Sequence, residues 1–108
     1  MANTFKSNLS ADIPISGTNV YTCPSATQTT LIGLTLSNKT AGTVTASVFL
    51  TRSATDYSLV TDAPIHTGST LVPVGGDQKV VLQAADVLKV TCSANTSIDV
   101  IASLLEIA

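Results

Sequence analysis

Residues 69–107 hold four extended segments that follow one another with almost no spare loop between them. Residues 69–74, 78–83, 86–91 and 97–107 are runs rich in β-branched and aliphatic side chains, separated by Gly75-Gly76-Asp77, by Ala84-Ala85 and by residues 92–96. Such runs closed by short turn signals predict an antiparallel meander. Gly75-Gly76 can supply the positive φ angles of a tight hairpin, and Ala84-Ala85-Asp86 makes the next corner. The last segment is apolar on both faces: Ile98, Val100, Ala102 and Leu104 on one, Ile101, Leu105 and Ile107 on the other. A strand of that kind belongs in the middle of a sheet or under a neighbouring subunit.

The chain before the meander reads the same way. Residues 18–23 form a short strand stopped by Pro24, which also forces Cys23 into an extended conformation. Residues 29–37 are apolar on both faces, and Gly33 marks a bulge or a close backbone contact. After a turn at 38–42, residues 43–51 alternate strictly, with Val44, Ala46, Val48 and Leu50 facing inward and hydroxyls and Phe49 outward. Residues 52–56 read as a polar connection, 57–61 as a short strand, and 62–68, with Pro64 and Gly68, as a crossing between two halves of the fold. No segment carries a helical period.

The expected fold is therefore all-β, an antiparallel β-sandwich of about eight short strands, jelly-roll-like, with an immunoglobulin-like topology open. Residues 1–16 are polar and without a sustained period, either disordered or laid on a neighbour. They are taken as an N-terminal extended arm, and residues 17–108 as a single β-sandwich domain.

Composition bounds the partners. The chain is 44% hydrophobic but only 4% aromatic and 11% charged. Small and β-branched side chains suit a pleated sheet yet bury less area each than aromatic ones, so burial against further copies is a plausible supplement to the core. A formal charge of −2, with Lys6, Lys39, Arg52, Lys79 and Lys89 scattered along the chain, argues against a nucleic-acid partner. Apolar runs fall far short of the roughly 20 residues a membrane helix needs. The first ten residues have no apolar core of a secretory signal, so synthesis in a cytoplasm is expected.

The residues offer no catalytic frame. His66 is the single histidine, in a Pro/Gly-containing connection, with no G-x-S-x-G or comparable nucleophile motif. The acids Asp12, Asp56, Asp62, Asp77, Asp86, Asp99 and Glu106 never fall at calcium-loop spacing, and most sit beside turns, where Asp bonds its own backbone. Gly75-Gly76-Asp77 is too short for a phosphate loop and no helix follows it. No metal, cofactor or catalytic residue is expected. Cys23 and Cys92, 69 positions apart, could staple the two halves, but in a cytoplasmic product two small buried hydrophobes are the better reading. Asn8-Leu-Ser, Asn38-Lys-Thr and Asn95-Thr-Ser match the N-glycosylation tripeptide, which a Ser/Thr/Asn-rich chain also produces by chance. A sugar-binding face would expose Trp or Tyr, and Tyr21 and Tyr57 are the only two present.

Residues 31–38, 63–71, 75–82, 85–90 and 97–107 together resemble a family of small tailed-bacteriophage virion proteins. Residues 1–17 lie outside the likeness. Where such proteins place a Gly-Asp pair before the seventh strand, this chain has Ala85-Asp86. The resemblance implies a structural, non-enzymatic virion protein assembled in the host cytoplasm. The first expectation is a capsid decoration or cement protein, a homo-oligomer with a trimer favoured, bound to the major capsid protein or other virion proteins and reaching over a neighbour with residues 1–16. A tail, neck or fibre-attachment component is the second. A host-surface glycan-binding module, from another class, is the third.

Overall fold

The computed structural model describes residues 3–75 and 79–108. Among these the chain forms nine strands and no helix: β1 (Asn3–Ser10), β2 (Thr18–Thr22), β3 (Gln28–Asn38), β4 (Val44–Arg52), β5 (Thr55–Ile65), β6 (Thr70–Val74), β7 (Val80–Leu82), β8 (Val87–Cys92) and β9 (Ile98–Ile107). One antiparallel sheet runs β1-β9-β3-β6, with β7 also paired to β3, and the other runs β2-β8-β4-β5.

The pairing has a simple origin. β4 and β5 form a hairpin closed by Ser53 and Ala54, both at positive φ, which is the two-residue turn whose twist matches its flanking strands. Outward from that tip, β3 pairs with β6 and β7, β2 with β8, and β1 with β9. The chain is one long antiparallel ribbon, nested about residues 53–54 and rolled so that β9 also meets β3 and β8 also meets β4. This is a jelly roll. First strand beside last and second beside eighth excludes the immunoglobulin order, which would place the final two strands together.

The all-β sandwich expectation is borne out, but its meander is not. No two of the last four strands pair with each other. The turn at Ala84-Ala85, with Ala85 at positive φ and Asp86 N–H bonded to the Gln83 carbonyl, carries the chain from one sheet to the other. The turn after Cys92 carries it back. β6 and β7 lie end to end along β3, so the link between them is no hairpin; Gly76, Asp77 and Gln78 lie outside the described residues. A short turn signal reads alike whether the chain doubles back or crosses over. Residues 52–56 are likewise no polar connection but the hairpin tip, and most of 62–68 continues β5. Pro64 is tolerated there because β5 is an edge strand.

Residues 3–10 are not an arm free of the domain. They pair with β9 from Asn3 opposite Ile107 to Ser10 opposite Val100. Farther on, Ile13 is fully buried, its N–H donating to the Ile98 carbonyl and its own carbonyl accepting from Thr96. The leader reads as an arm because its inward positions, Thr4, Lys6, Asn8 and Ser10, are polar.

The core lies between the sheets, with Leu31, Leu34, Leu36, Val74, Leu82, Ile98, Val100 and Leu104 from one and Val20, Val44, Val48, Leu88 and Val90 from the other. Leu31 and Leu34 both face inward although three apart, because the β3–β9 register shifts at Gly33. The bulge expected there is present; a Cβ would find only ordinary contact, so close packing is not what Gly33 supplies.

Gly17 is different. It holds a φ of +94°, and a Cβ there would lie 2.8 Å from Thr91 Cγ2 and 3.2 Å from the Val90 carbonyl oxygen. Gly17→Ala is expected to lower unfolding stability by about 1–3 kcal/mol, read as a lower urea midpoint at unchanged m-value.

Candidate assembly surface and polar clusters

In an antiparallel sheet, residues directly opposite one another share a face, so the registers give the composition of each outer surface. On the five-stranded sheet, Phe5 lies opposite Leu105, Leu105 opposite Thr30, and Thr30 opposite Val81. A second row joins Leu9, Ile101 and Thr35, and a third Asn3, Ile107 and Gln28. Phe5 is 76% exposed, Leu9 70%, Val81 59% and Ile101 49%. The charged strand residue on this face is Asp99, at its end. The four-stranded sheet differs: its outward positions include Lys89 opposite Phe49 and Asp56 opposite Thr51, among hydroxyls.

β1 sharpens the contrast, because its polarity is inverted. Thr4, Lys6, Asn8 and Ser10 share the face of Leu104, Ala102 and Val100, while Phe5 and Leu9 point away from the core. The inward positions are served by the rim of the sandwich: Asn8 Nδ2 donates to the Val20 carbonyl at 3.1 Å, and Lys6 Nζ is 3.5 Å from Glu106 Oε2. The outward apolar pair has no cover in the monomer.

Two polar clusters close one end of the sandwich. Tyr21, from the four-stranded sheet, donates its phenol proton to Glu106 Oε2 at 2.5 Å. Its oxygen lies 2.8 Å from Thr29 Oγ1, and since its one proton is committed, the threonine is the donor. Burial, reinforced by the bond to the Glu106 carboxylate, pushes the Tyr21 phenol well above its ordinary value. Nearby, Arg52 grips Asp86 with both arms, Nε to Oδ1 at 2.9 Å and Nη2 to Oδ2 at 2.5 Å, and the Gln83 N–H adds a third bond. The Arg52 hydrogen bonds hold the Asp86 carboxyl, 2% exposed, below the usual aspartate range. This pair ties the hairpin tip to the β7–β8 turn. At the opposite end Lys39 bonds Asp12 and, at 2.9 Å, Asp99, whose pKa it lowers.

Asp86 sits at the corner expected of it and Asp99 within the last strand, while their cationic partners, Arg52 and Lys39, lie 34 and 60 positions away in the chain and were left unassigned by the sequence. It also left Tyr21 without a role. Tyr21 is buried, Tyr57 is exposed on the other sheet from Phe5, and these side chains form no common stacking platform. His66 is exposed, 3.4 Å from Thr43 Oγ1. Cys23 and Cys92 are buried and unbridged. The Cys23 backbone pairs with Asp86, before β8, and Cys92 ends β8, so about 20 Å of strand separates them, against the less than 7 Å a disulfide spans. Among the described residues no group of three or more His, Cys, Asp or Glu is placed to hold a metal ion.

No protein-family model matches the sequence, and no curated protein does. Solved structures do share the fold. A chain of Bacillus endospore appendages, described as a novel family of disulfide-linked pili, superposes with a TM-score of 0.51 at 12% identity, over 98% of this chain and 88% of that one. A chain of the T13 IBDV viral particle superposes at 0.51 and 8% identity, over 96% of this chain and 30% of its own length. The virus-like particle of the Macrobrachium rosenbergii extra small virus gives 0.47 at 12% identity, over 98% and 79%. At identities this low the first two superpositions show a shared fold alone, present in a chain of pili and in a chain of a viral particle.

Two measurements test the clusters. Tyr21→Phe removes the hydroxyl that serves Thr29 and Glu106 and should cost about 1–2 kcal/mol. In the wild type the raised phenol pKa gives stability that is complete below the ordinary value of 10.0 and lost as pH rises above it; in Tyr21→Phe that alkaline slope disappears from urea titrations. Asp86 runs the other way. Its lowered pKa contributes stability present in full above about 3.8 and lost as pH falls through the folded value, so Asp86→Asn should flatten the acid limb and cost at least about 1 kcal/mol at neutral pH.

Proposed function

We propose that the chain is a non-enzymatic structural protein of a virion, assembled in the host cytoplasm, and most specifically a capsid decoration protein of a tailed bacteriophage. In this reading it forms a homo-oligomer on the major capsid protein lattice and reinforces it. The observation that carries the reading is the outer face of the five-stranded sheet: apolar, uncharged across its centre, and uncovered in the monomer. Interface centres are depleted of charge in the same way. Hydrogen bonding and apolar contact, rather than charge, would then hold copies in place. The sequence resemblance to small phage virion proteins supplies the finer assignment, and the jelly roll shared with a viral-particle chain is consistent with it.

A second reading, a tail, neck or fibre component present in few copies, is favoured by the same fold occurring in a pilus subunit. Disulfide linkage of the kind named for those pili would require Cys23 or Cys92 to leave the interior, which weighs against that mode of assembly here.

The copy number of the chain relative to the major capsid protein, from quantitative mass spectrometry of purified particles with labelled peptides, separates the readings. Hundreds of copies are expected for a lattice-wide decoration protein. A few dozen or fewer would transfer it to the tail, neck or fibres, and absence from particles would overturn both.

A further inference from the structure

We infer that the outer face of the five-stranded sheet is occupied by a second copy of this chain, the two copies stacking this face on itself about a twofold axis. The inference deepens the assembly reading by naming the partner, and depends on it only in requiring that the face be covered.

A twofold contact sets a patch against itself, so any net charge in it would meet its own image. The field formed by Phe5, Leu9, Val81, Ile101, Leu105 and Ile107 meets that condition, since the residues between them, Ser7, Thr30, Thr35 and Ser103, are neutral. The opposite outer face, with Lys89 near its centre, does not.

β1 is held in place by its own polar contacts. Its register fixes Phe5 and Leu9 outward and sets Lys6 and Asn8 inward, where both have partners. Sliding β1 by one residue would bury Phe5 and Leu9 but would remove both polar contacts. The observed register leaves two large apolar side chains uncovered at the margin of the face, where a second sheet laid on top would cover them.

The face is also broad enough for such a contact. Four strands at about 4.8 Å spacing and about seven residues at 3.4 Å give a projected field of roughly 450 Å², and the pleated, side-chain-bearing surface is larger. Two copies therefore bury about 1,000 Å² in total, the lower bound for a specific contact. Two twisted sheets so stacked would lie at about 30° to one another, about 10 Å apart, as in a sandwich core. Such a contact closes at two, so it builds an even-numbered oligomer in place of the expected trimer.

Sedimentation velocity of the purified full chain, followed from about 1 to about 200 µM, tests this. The wild type is expected to show a monomer–dimer equilibrium, and Ile101→Lys to raise its Kd at least about tenfold, because two lysines would face each other across the axis. Leu9→Lys, at an exposed position of an edge strand, serves as a second variant, and circular dichroism confirms folding of both. Thr51→Lys, on the other sheet, should leave association unchanged. A wild type that stays monomeric throughout, or association indifferent to both lysines, overturns the inference. A monomer that nevertheless decorates particles in high copy through this face would give the surface to the capsid protein, leaving the decoration reading intact. A chain absent from particles but dimerising as described would do the reverse.

Discussion

The main-chain ladder of one folded-back ribbon is the constraint on which the rest depends. Once Ser53 and Ala54 set the tip, each later strand finds its partner among the earlier ones in reverse order, out to β9 against β1. Rolling the ribbon brings β9 between β1 and β3 and β8 between β2 and β4, which satisfies the backbone of both central strands on each side. The same roll turns the alternating apolar positions of both sheets onto a common interior. Aliphatic residues fill it, with Leu31, Leu34 and Leu36 from one sheet and Leu88 and Val90 from the other.

The sandwich so formed has two open ends, and polar side chains close them. Tyr21 spans from one sheet to Thr29 and Glu106 on the other, and Arg52 with Asp86 fixes the hairpin tip to the turn that changes sheets. At the far end Lys39 joins Asp12 to Asp99, beside the loop that buries Ile13. Tyr21 and Glu106, Arg52 and Asp86, and Lys39 and Asp99 are 85, 34 and 60 residues apart, so these pairs couple segments that the ladder alone would leave independent. Among the described residues no buried side-chain nitrogen or oxygen is left without a partner.

The two outer faces have no such closure, and they differ. One is wetted by hydroxyls, Lys89 and Asp56. The other carries aliphatic and aromatic side chains on β1, β9 and β7, with the neutral Thr30 and Thr35 of β3 between them. Low charge and few aromatic residues leave the monomer to aliphatic burial, and the proposed self-association would add the apolar face to it.

Strand positions were legible because period-2 alternation and turn residues are local: β2, β3, β4, β8 and β9 fall within a residue or two of expectation, as does the bulge at Gly33. The doubly apolar 97–107 segment announced a central strand, and β9 is one. Partners were not legible. A corner such as Ala84-Ala85 fixes that the chain turns, whereas the direction it takes is decided by which apolar faces must meet across the core. For the same reason the Arg52–Asp86 and Tyr21–Glu106 pairs, and the outward aim of Phe5 and Leu9, could not be read from the chain. The sequence by itself determined an all-β sandwich of small side chains with low charge. Only the tertiary structure decided the jelly-roll order, the strand role of residues 3–10 and the apolar outer face, because each depends on register between segments as much as a hundred residues apart.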